Sequence, residues 1–166
     1  MFLLHRQLVP MLLALFLALS SPVLAAAPDD AAALTGLTSA KAVFDVRTKE
    51  PGRLLFIVKV IDETYQSMLD QGVTPDFVVS FRGGTLPLLR KDPDKVNSLE
   101  RTMLSEVRER IAAWGKGPVK AEACNVAGRI FKVTPEQLAP GVSMVGNSLI
   151  SLIGYQNRGY ALVPMN

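Results

Sequence analysis

The sequence predicts an α/β protein with a single three-layer α/β/α domain and a mostly parallel five-stranded sheet. Five short apolar segments alternate with helix-like segments along the chain, which is the pattern of strands joined by helical crossovers. One of these segments, Phe77-Val78-Val79, is continuously apolar, as is typical of a strand with both faces covered. With 166 residues and a hydrophobic composition of 49%, the chain can bury one core but hardly two.

The first predicted unit is a strand, a long helix and a second strand. Residues 41–47 form the first strand, which the turn-prone segment 50–52 closes. Over residues 53–69 the apolar positions recur every three or four residues, which predicts an amphipathic helix that ends at Gly72. Residues 75–81 form the second strand.

The rest of the chain repeats this alternation with shorter elements. The apolar stripe of residues 99–114 predicts a helix that ends at Gly115, and the cap-like pair Thr134-Pro135 begins a later helical turn. The other predicted elements are a strand at 119–123, a short helix at 125–131, a strand at 142–145, a helix at 148–156 and a strand at 160–163.

The N-terminal 25 residues are predicted to be a signal peptide, with cleavage after residue 25 or as late as residue 27. A weakly basic start precedes the uncharged apolar run 8–19, and small residues surround Ala25. The alternative is a permanent membrane anchor, which Pro10 and Pro22 disfavour. We therefore expect a periplasmic or otherwise exported protein without a stable membrane span. A flexible leader is expected over residues 26–40, and the folded domain over 41–166.

Charge and composition exclude several classes of function. The chain has 18 basic and 15 acidic residues, and loss of Arg6 with the signal peptide leaves a net charge of +2, too small to indicate nucleic-acid binding. The one histidine is His5, so the exported chain has no imidazole base, no Cys-His pair and no usual zinc site. The sequence indicates neither a metal nor a cofactor.

Cys124 is the only cysteine and the strongest nucleophile available. A lone thiol in an exported protein forms no internal disulfide, so it is buried and inert, bonded to another chain, or reactive. It follows the third predicted strand at the point where a helix begins. Backbone N–H groups at a helix start favour the thiolate, so the position is suited to a reactive cysteine.

The candidate site lies where the second, third and fourth strands end, because reactive groups gather at the carboxyl ends of parallel strands. Arg82 would stabilise a thiolate or bind an anionic sulfur compound such as thiosulfate, or it would only pair with Asp45 or Glu122. The other candidates for substrate binding are Gly83, Gly84, Asn125 and Asn147. Two adjacent glycines are, however, more typical of a turn, and an Asn before a helix, such as Asn147, is more typical of a helix cap.

The order of these elements resembles the DsrE/DsrF-like sulfur-relay family over residues 41–164. The features that carry the resemblance are the glycine loop after the second strand, the strand ending in Cys124, Thr134-Pro135-Glu136-Gln137-Leu138, Gly141-Val142 and the closing Gly159-Tyr160-Ala161-Leu162-Val163-Pro164. The resemblance implies a three-layer α/β/α domain over residues 41–166, usually oligomeric, and a persulfide on the cysteine that Cys124 matches. Many relatives have His-Gly where this chain has Arg82-Gly83, so the role of that histidine is not carried over.

Two functions of different classes follow. In the first, a sulfurtransferase-like relay protein carries sulfane sulfur as a persulfide on Cys124, taking it from a protein or small-molecule donor and passing it to a partner thiol. In the second, the protein is a non-catalytic oligomeric binding or assembly module with a buried, structural Cys124. The last predicted helix is apolar on more than one side, which indicates burial against another subunit or within the domain itself.

Overall fold

The computed structural model describes residues 28–166, and the predicted signal peptide (residues 1–25) lies outside the described residues. The strands are β1 (Ser39–Val46), β2 (Thr74–Phe81), β3 (Lys120–Cys124), β4 (Val142–Val145) and β5 (Ala161–Met165). The helices are α1 (Ala31–Leu34), α2 (Pro51–Asp70), α3 (Ser98–Trp114), α4 (Asn125–Phe131) and α5 (Ser148–Asn157), with 3₁₀ segments at Gly83–Leu89 and Pro135–Gln137. Within residues 28–166, no helix has both the length and the apolar character needed to cross a membrane.

The five strands form one parallel sheet in the order β4-β3-β2-β1-β5. The path through the sheet begins at β1, moves outward through β2 and β3 to β4, and then crosses back to place β5 on the other side of β1. Because parallel crossovers are right-handed, reversing the direction of travel moves the connecting helix to the opposite face of the sheet. Helices α2 and α3 therefore pack on one face, and α5 packs on the other.

The two faces of the sheet are covered unequally. On the first face, Phe77 and Phe81 of β2 are buried in one large cluster with Ile57 of α2 and Leu104 of α3. Among residues 28–166, the buried cluster on the α5 face consists of Val43, Val78, Leu152 and Tyr160, with the partly buried Tyr155 packed against it. Since hydrophobic stabilisation scales with the apolar area buried, most of it comes from the first face. We therefore expect polar contacts with the sheet to contribute a larger share of the packing of α5 than of α2 and α3.

The predicted three-layer architecture is confirmed, with small shifts at the ends of elements. Helix α2 begins at Pro51, two residues before the predicted start, because proline is favoured in the first turn of a helix. Strand β5 begins one residue later than predicted and continues through Pro164, which an edge strand tolerates. Strand β1 begins at Ser39, inside the predicted leader. The predicted glycine loop after β2 is the start of a 3₁₀ segment.

Candidate functional site

The carboxyl ends of β2, β3 and β4 lie side by side, because β3 is the strand between the other two. The register pairs Phe81 of β2 with Ala123 of β3, and Cys124 with Val145 of β4. Arg82 follows Phe81 directly and is therefore level with Cys124. The thiol thus lies between Arg82 on one side and the β4–α5 connection on the other, at the sheet edge that the sequence predicts.

Cys124 is a buried thiol at the junction of β3 and α4. The residue is 5% exposed and belongs to the large core cluster. The backbone N–H of Ser148, the first residue of α5, donates a hydrogen bond to Cys124 Sγ at 3.4 Å. The N–H groups of Val126 and Ala127, at the start of α4, are near enough to lower the pKa of the thiol, but Cys124 makes no side-chain cap hydrogen bond to this helix. The start of α5 therefore donates a hydrogen bond to the thiol, and N–H groups at the start of α4 lie near it.

These surroundings lower the pKa of the Cys124 thiol below its ordinary value. Burial is the largest single influence and raises the pKa, because it disfavours the charged thiolate. The hydroxyl and N–H of Ser148 and the N–H groups of Ala127 and Val126 act in the opposite direction and together outweigh burial. The thiolate is the nucleophilic form of cysteine, so the site favours the reactive state.

Arg82 is bound to Asp45 of the neighbouring strand β1. Its Nε and Nη2 donate to Oδ1 and Oδ2 of Asp45 at 2.5 and 2.6 Å, and the Asp45 side chain is only 7% exposed. This bidentate bond raises the pKa of Arg82, and the negative charge of Cys124 raises it further. Pairing with Asp45, one of the roles considered for Arg82, is thus present, and the guanidinium charge also acts on the thiol. Glu122, the other carboxylate predicted as a possible partner of Arg82, instead accepts a hydrogen bond from Tyr155.

The glycine pair after β2 packs against a lysine side chain. Gly83 follows Arg82 with a φ of +60°, a left-handed conformation that glycine adopts without strain. The alkyl chain of Lys49 lies over Gly84, where an added Cβ would come within 2.5 Å of Lys49 Cγ. The loop therefore leaves room for Lys49 at the end of β2. No described contact assigns the two glycines a further role.

The two asparagines predicted for substrate binding both occupy helix starts. Asn147 is the N-cap of α5, where its Oδ1 accepts a hydrogen bond from the N–H of Leu149 at 3.0 Å. Asn125 is the first residue of α4, directly after the thiol, and is half-buried. Asn147 thus makes the hydrogen bond expected of a helix cap. Asn125 lies next to the thiol because it directly follows Cys124 in the sequence.

Ser148 contacts the Cys124 sulfur through its backbone N–H, and it is not among the site residues that the sequence predicts. The residue is 1% exposed, and its hydroxyl has no hydrogen-bond partner of normal geometry among residues 28–166. That hydroxyl is nevertheless near enough to Cys124 to lower the pKa of the thiol. The sequence could have indicated Ser148 only through its position, because it follows the end of the fourth strand at the same edge of the sheet as Cys124.

A polar row lies between α5 and the sheet. The register aligns Asp45 of β1, Ser80 of β2 and Glu122 of β3 on one face. Glu122 Oε1 accepts a hydrogen bond from the Tyr155 hydroxyl of α5 at 2.6 Å. Burial, together with this bond to Glu122, raises the pKa of Tyr155 to about 12. Since Ser148 contacts Cys124, α5 is attached to β3 at both of its ends.

The arrangement supports chemistry at sulfur. A buried thiolate held by N–H donors can attack an electrophilic sulfur and can later leave as a thiolate. In the described part of the chain, no group of three or more His, Cys, Asp or Glu side chains is placed to hold a metal ion.

Comparisons with known proteins agree with the architecture. The structure is similar to the protein of unknown function MTH1491 from Methanobacterium thermoautotrophicum, with a TM-score of 0.60 and 17% identity over 75% of this chain and 98% of that one. Similarity at this identity shows a shared fold, so the α/β/α fold that the DsrE/DsrF resemblance implies is the fold of this chain. The YchN protein of E. coli aligns with a TM-score of 0.47 and 12% identity over 75% of this chain and 98% of its own.

In sequence, the chain is 26% identical over 125 residues to an uncharacterized protein of Aquifex aeolicus (strain VF5). The match covers 75% of this chain but spans only 55% of the length of that relative. No family model matches the sequence.

Proposed function

We propose that this chain is an exported DsrE/DsrF-like sulfur carrier that holds sulfane sulfur as a persulfide on Cys124 and passes it to a partner thiol. The observation that carries the proposal is a thiol at the end of a central strand whose pKa is lowered by surrounding N–H donors and the Ser148 hydroxyl. A lowered pKa makes the cysteine both an available nucleophile and a better leaving group. The fold and the sequence resemblance support the same assignment.

The proposed reaction has two steps. In loading, the Cys124 thiolate attacks the sulfane sulfur of a donor such as thiosulfate; a bond to Sγ forms, and the donor's S–S bond breaks with its electron pair leaving on sulfite. In transfer, an acceptor thiolate attacks the outer sulfur, and Cys124 leaves as a thiolate. The nearby charge of Arg82 favours both the resting thiolate and the approach of an anionic donor.

Intact-mass spectrometry after incubation with thiosulfate tests this function. The wild-type protein should gain one sulfur atom, lose it to a small acceptor thiol, and show no gain in the Cys124→Ser variant. Equal labelling of wild type and variant, or no labelling of either with thiosulfate and a polysulfide, would reject the carrier.

The second candidate is a non-catalytic binding or assembly module, which the burial of Cys124 at 5% exposure favours. A thiol held only for packing reacts slowly with a reagent in the native protein and rapidly after unfolding in urea. The carrier instead predicts rapid native modification by a small reagent. Comparing the two rates with iodoacetamide therefore separates the candidates.

A second copy of the chain is the partner we propose for the outer face of α5. Leu149, Ile150 and Ile153 are 51%, 69% and 60% exposed on this helix, and Leu162 of β5 is 41% exposed. Exposed apolar patches of this kind mark interaction sites in soluble proteins. Light scattering should give an oligomer for the wild type and a smaller species for Ile150→Glu, whereas a monomeric wild type would reject the interface.

The proposed export of the protein rests on the signal-like sequence of residues 1–25. Cell fractionation should find the full chain outside the cytoplasm and a variant without residues 2–25 inside it. Full-length protein that stays in the cytoplasm with its N-terminus intact would contradict export without affecting the sulfur chemistry.

A further inference from the structure

Ser148 presents two hydrogen-bond donors to the same buried region, and only its backbone N–H makes a hydrogen bond of normal geometry there. Its backbone N–H donates to Cys124 Sγ at 3.4 Å. Its hydroxyl is buried within a residue that is 1% exposed and makes no hydrogen bond of normal geometry with any described atom. A buried hydroxyl without a partner costs about 1–3 kcal/mol, so its presence beside a reactive sulfur calls for a physical reason.

Loading with sulfur moves the negative charge that the site must hold. In the resting thiolate the charge is on Sγ, where the hydroxyl and N–H of Ser148 and the N–H groups of Ala127 and Val126 favour it. In the persulfide the charge lies on the outer sulfur, about 2.05 Å farther from the backbone. N–H donors that are positioned for Sγ are then one S–S bond length away from the atom that carries the charge. Arg82 already directs Nε and Nη2 to Asp45, and Asn147 is engaged at the helix cap.

We propose that the Ser148 hydroxyl binds the outer sulfur of the Cys124 persulfide by donating a hydrogen bond to it. This inference rests on the proposed function, since it concerns the loaded state of the same thiol. One residue then serves both states: its N–H holds the resting thiolate, and its O–H holds the persulfide anion. The hydroxyl turns toward the new sulfur atom without breaking a hydrogen bond of normal geometry, because it makes none with the described residues.

The variant Ser148→Ala separates this role from a structural one. The variant loses a hydroxyl that lowers the pKa of Cys124 but keeps the backbone N–H, so the apparent pKa of iodoacetamide alkylation should rise, by less than about one unit. The unloaded variant should be at least as stable as wild type, because a buried hydroxyl without a partner is removed. The loading equilibrium, measured by intact mass at fixed ratios of thiosulfate to sulfite, should fall about tenfold, the effect of losing one hydrogen bond to a charged group.

Two further variants complete the test. Ser151→Ala removes a half-buried hydroxyl one turn later on α5 and should load as wild type does. Ser148→Thr keeps the hydroxyl and should recover most of the loading. The proposal is overturned if Ser148→Ala loads normally, if it loses stability, or if its thiol pKa shifts as much as its loading. Wild-type protein that never gains sulfur would instead reject the carrier function itself.

Discussion

Replacing Arg82 with methionine should destabilise the fold by about 3 kcal/mol. The substitution keeps a long side chain but removes both hydrogen bonds to the Asp45 carboxylate, which is 7% exposed. Removing one partner of a buried ion pair costs about 3–5 kcal/mol, because the other charge stays buried without compensation. The lower end applies here, since the Arg82 side chain is 24% exposed and Arg47 lies 3.9 Å from Asp45 and can partly replace it.

Urea unfolding followed by circular dichroism measures this effect. At an m-value of about 2 kcal/mol/M, the midpoint should fall by about 1.5 M. The matched control is Arg47→Met, whose side chain is 49% exposed and whose loss should cost less than about 0.5 kcal/mol. Adding Asp45→Asn to Arg82→Met should recover part of the stability, because no buried charge is then left unpaired. Equal midpoints for Arg82→Met and Arg47→Met would refute a buried, stabilising pair.

Two other predictions concern pH, and a third concerns the hydrogen bond of Tyr155. Folding lowers the pKa of Cys124, so alkylation should begin at a lower pH in native than in urea-unfolded protein. The free energy of unfolding should therefore rise with pH between the pKa of the folded and that of the unfolded thiol. A Cys124→Ser variant should lose this rise. The pKa of Tyr155 is raised to about 12, so its contribution to stability is complete below pH about 10 and is lost toward pH 12. Tyr155→Phe should cost about 1–3 kcal/mol by leaving Glu122 unpaired, and a smaller loss than that of Ser151→Ala would contradict the bond.

The fold was predictable because each element carries its own periodicity. The alternation of strands and helices does not depend on which strands become neighbours, so an α/β/α architecture follows from local patterns. The ends of elements depend on tertiary context. Pro164 reads as the end of a strand, yet it lies within β5 because that strand pairs only with β1 and occupies the sheet edge.

The candidate site was only partly predictable. The position of Cys124 at the end of a strand is a local property, and the sequence places it correctly. The partner of Arg82 depends on strand order, since β2 has β1 on one side and β3 on the other and the guanidinium turns toward β1. The contact between Ser148 and Cys124 depends on the return crossover that carries α5 across the opposite face. No spacing between residues 124 and 148 encodes that crossing.

The proposed chemistry also explains why a chain without histidine after residue 5 is sufficient. Transfer of sulfane sulfur from one thiolate to another exchanges one anion for another, so no proton has to be held or moved in the transfer step itself. The site must only keep the thiolate available and accommodate the anion after it moves outward by one sulfur atom. The N–H donors and the Ser148 hydroxyl lower the pKa of Cys124 and so meet the first requirement, and the proposed turn of that hydroxyl toward the outer sulfur would meet the second. An imidazole base would add nothing to these two tasks.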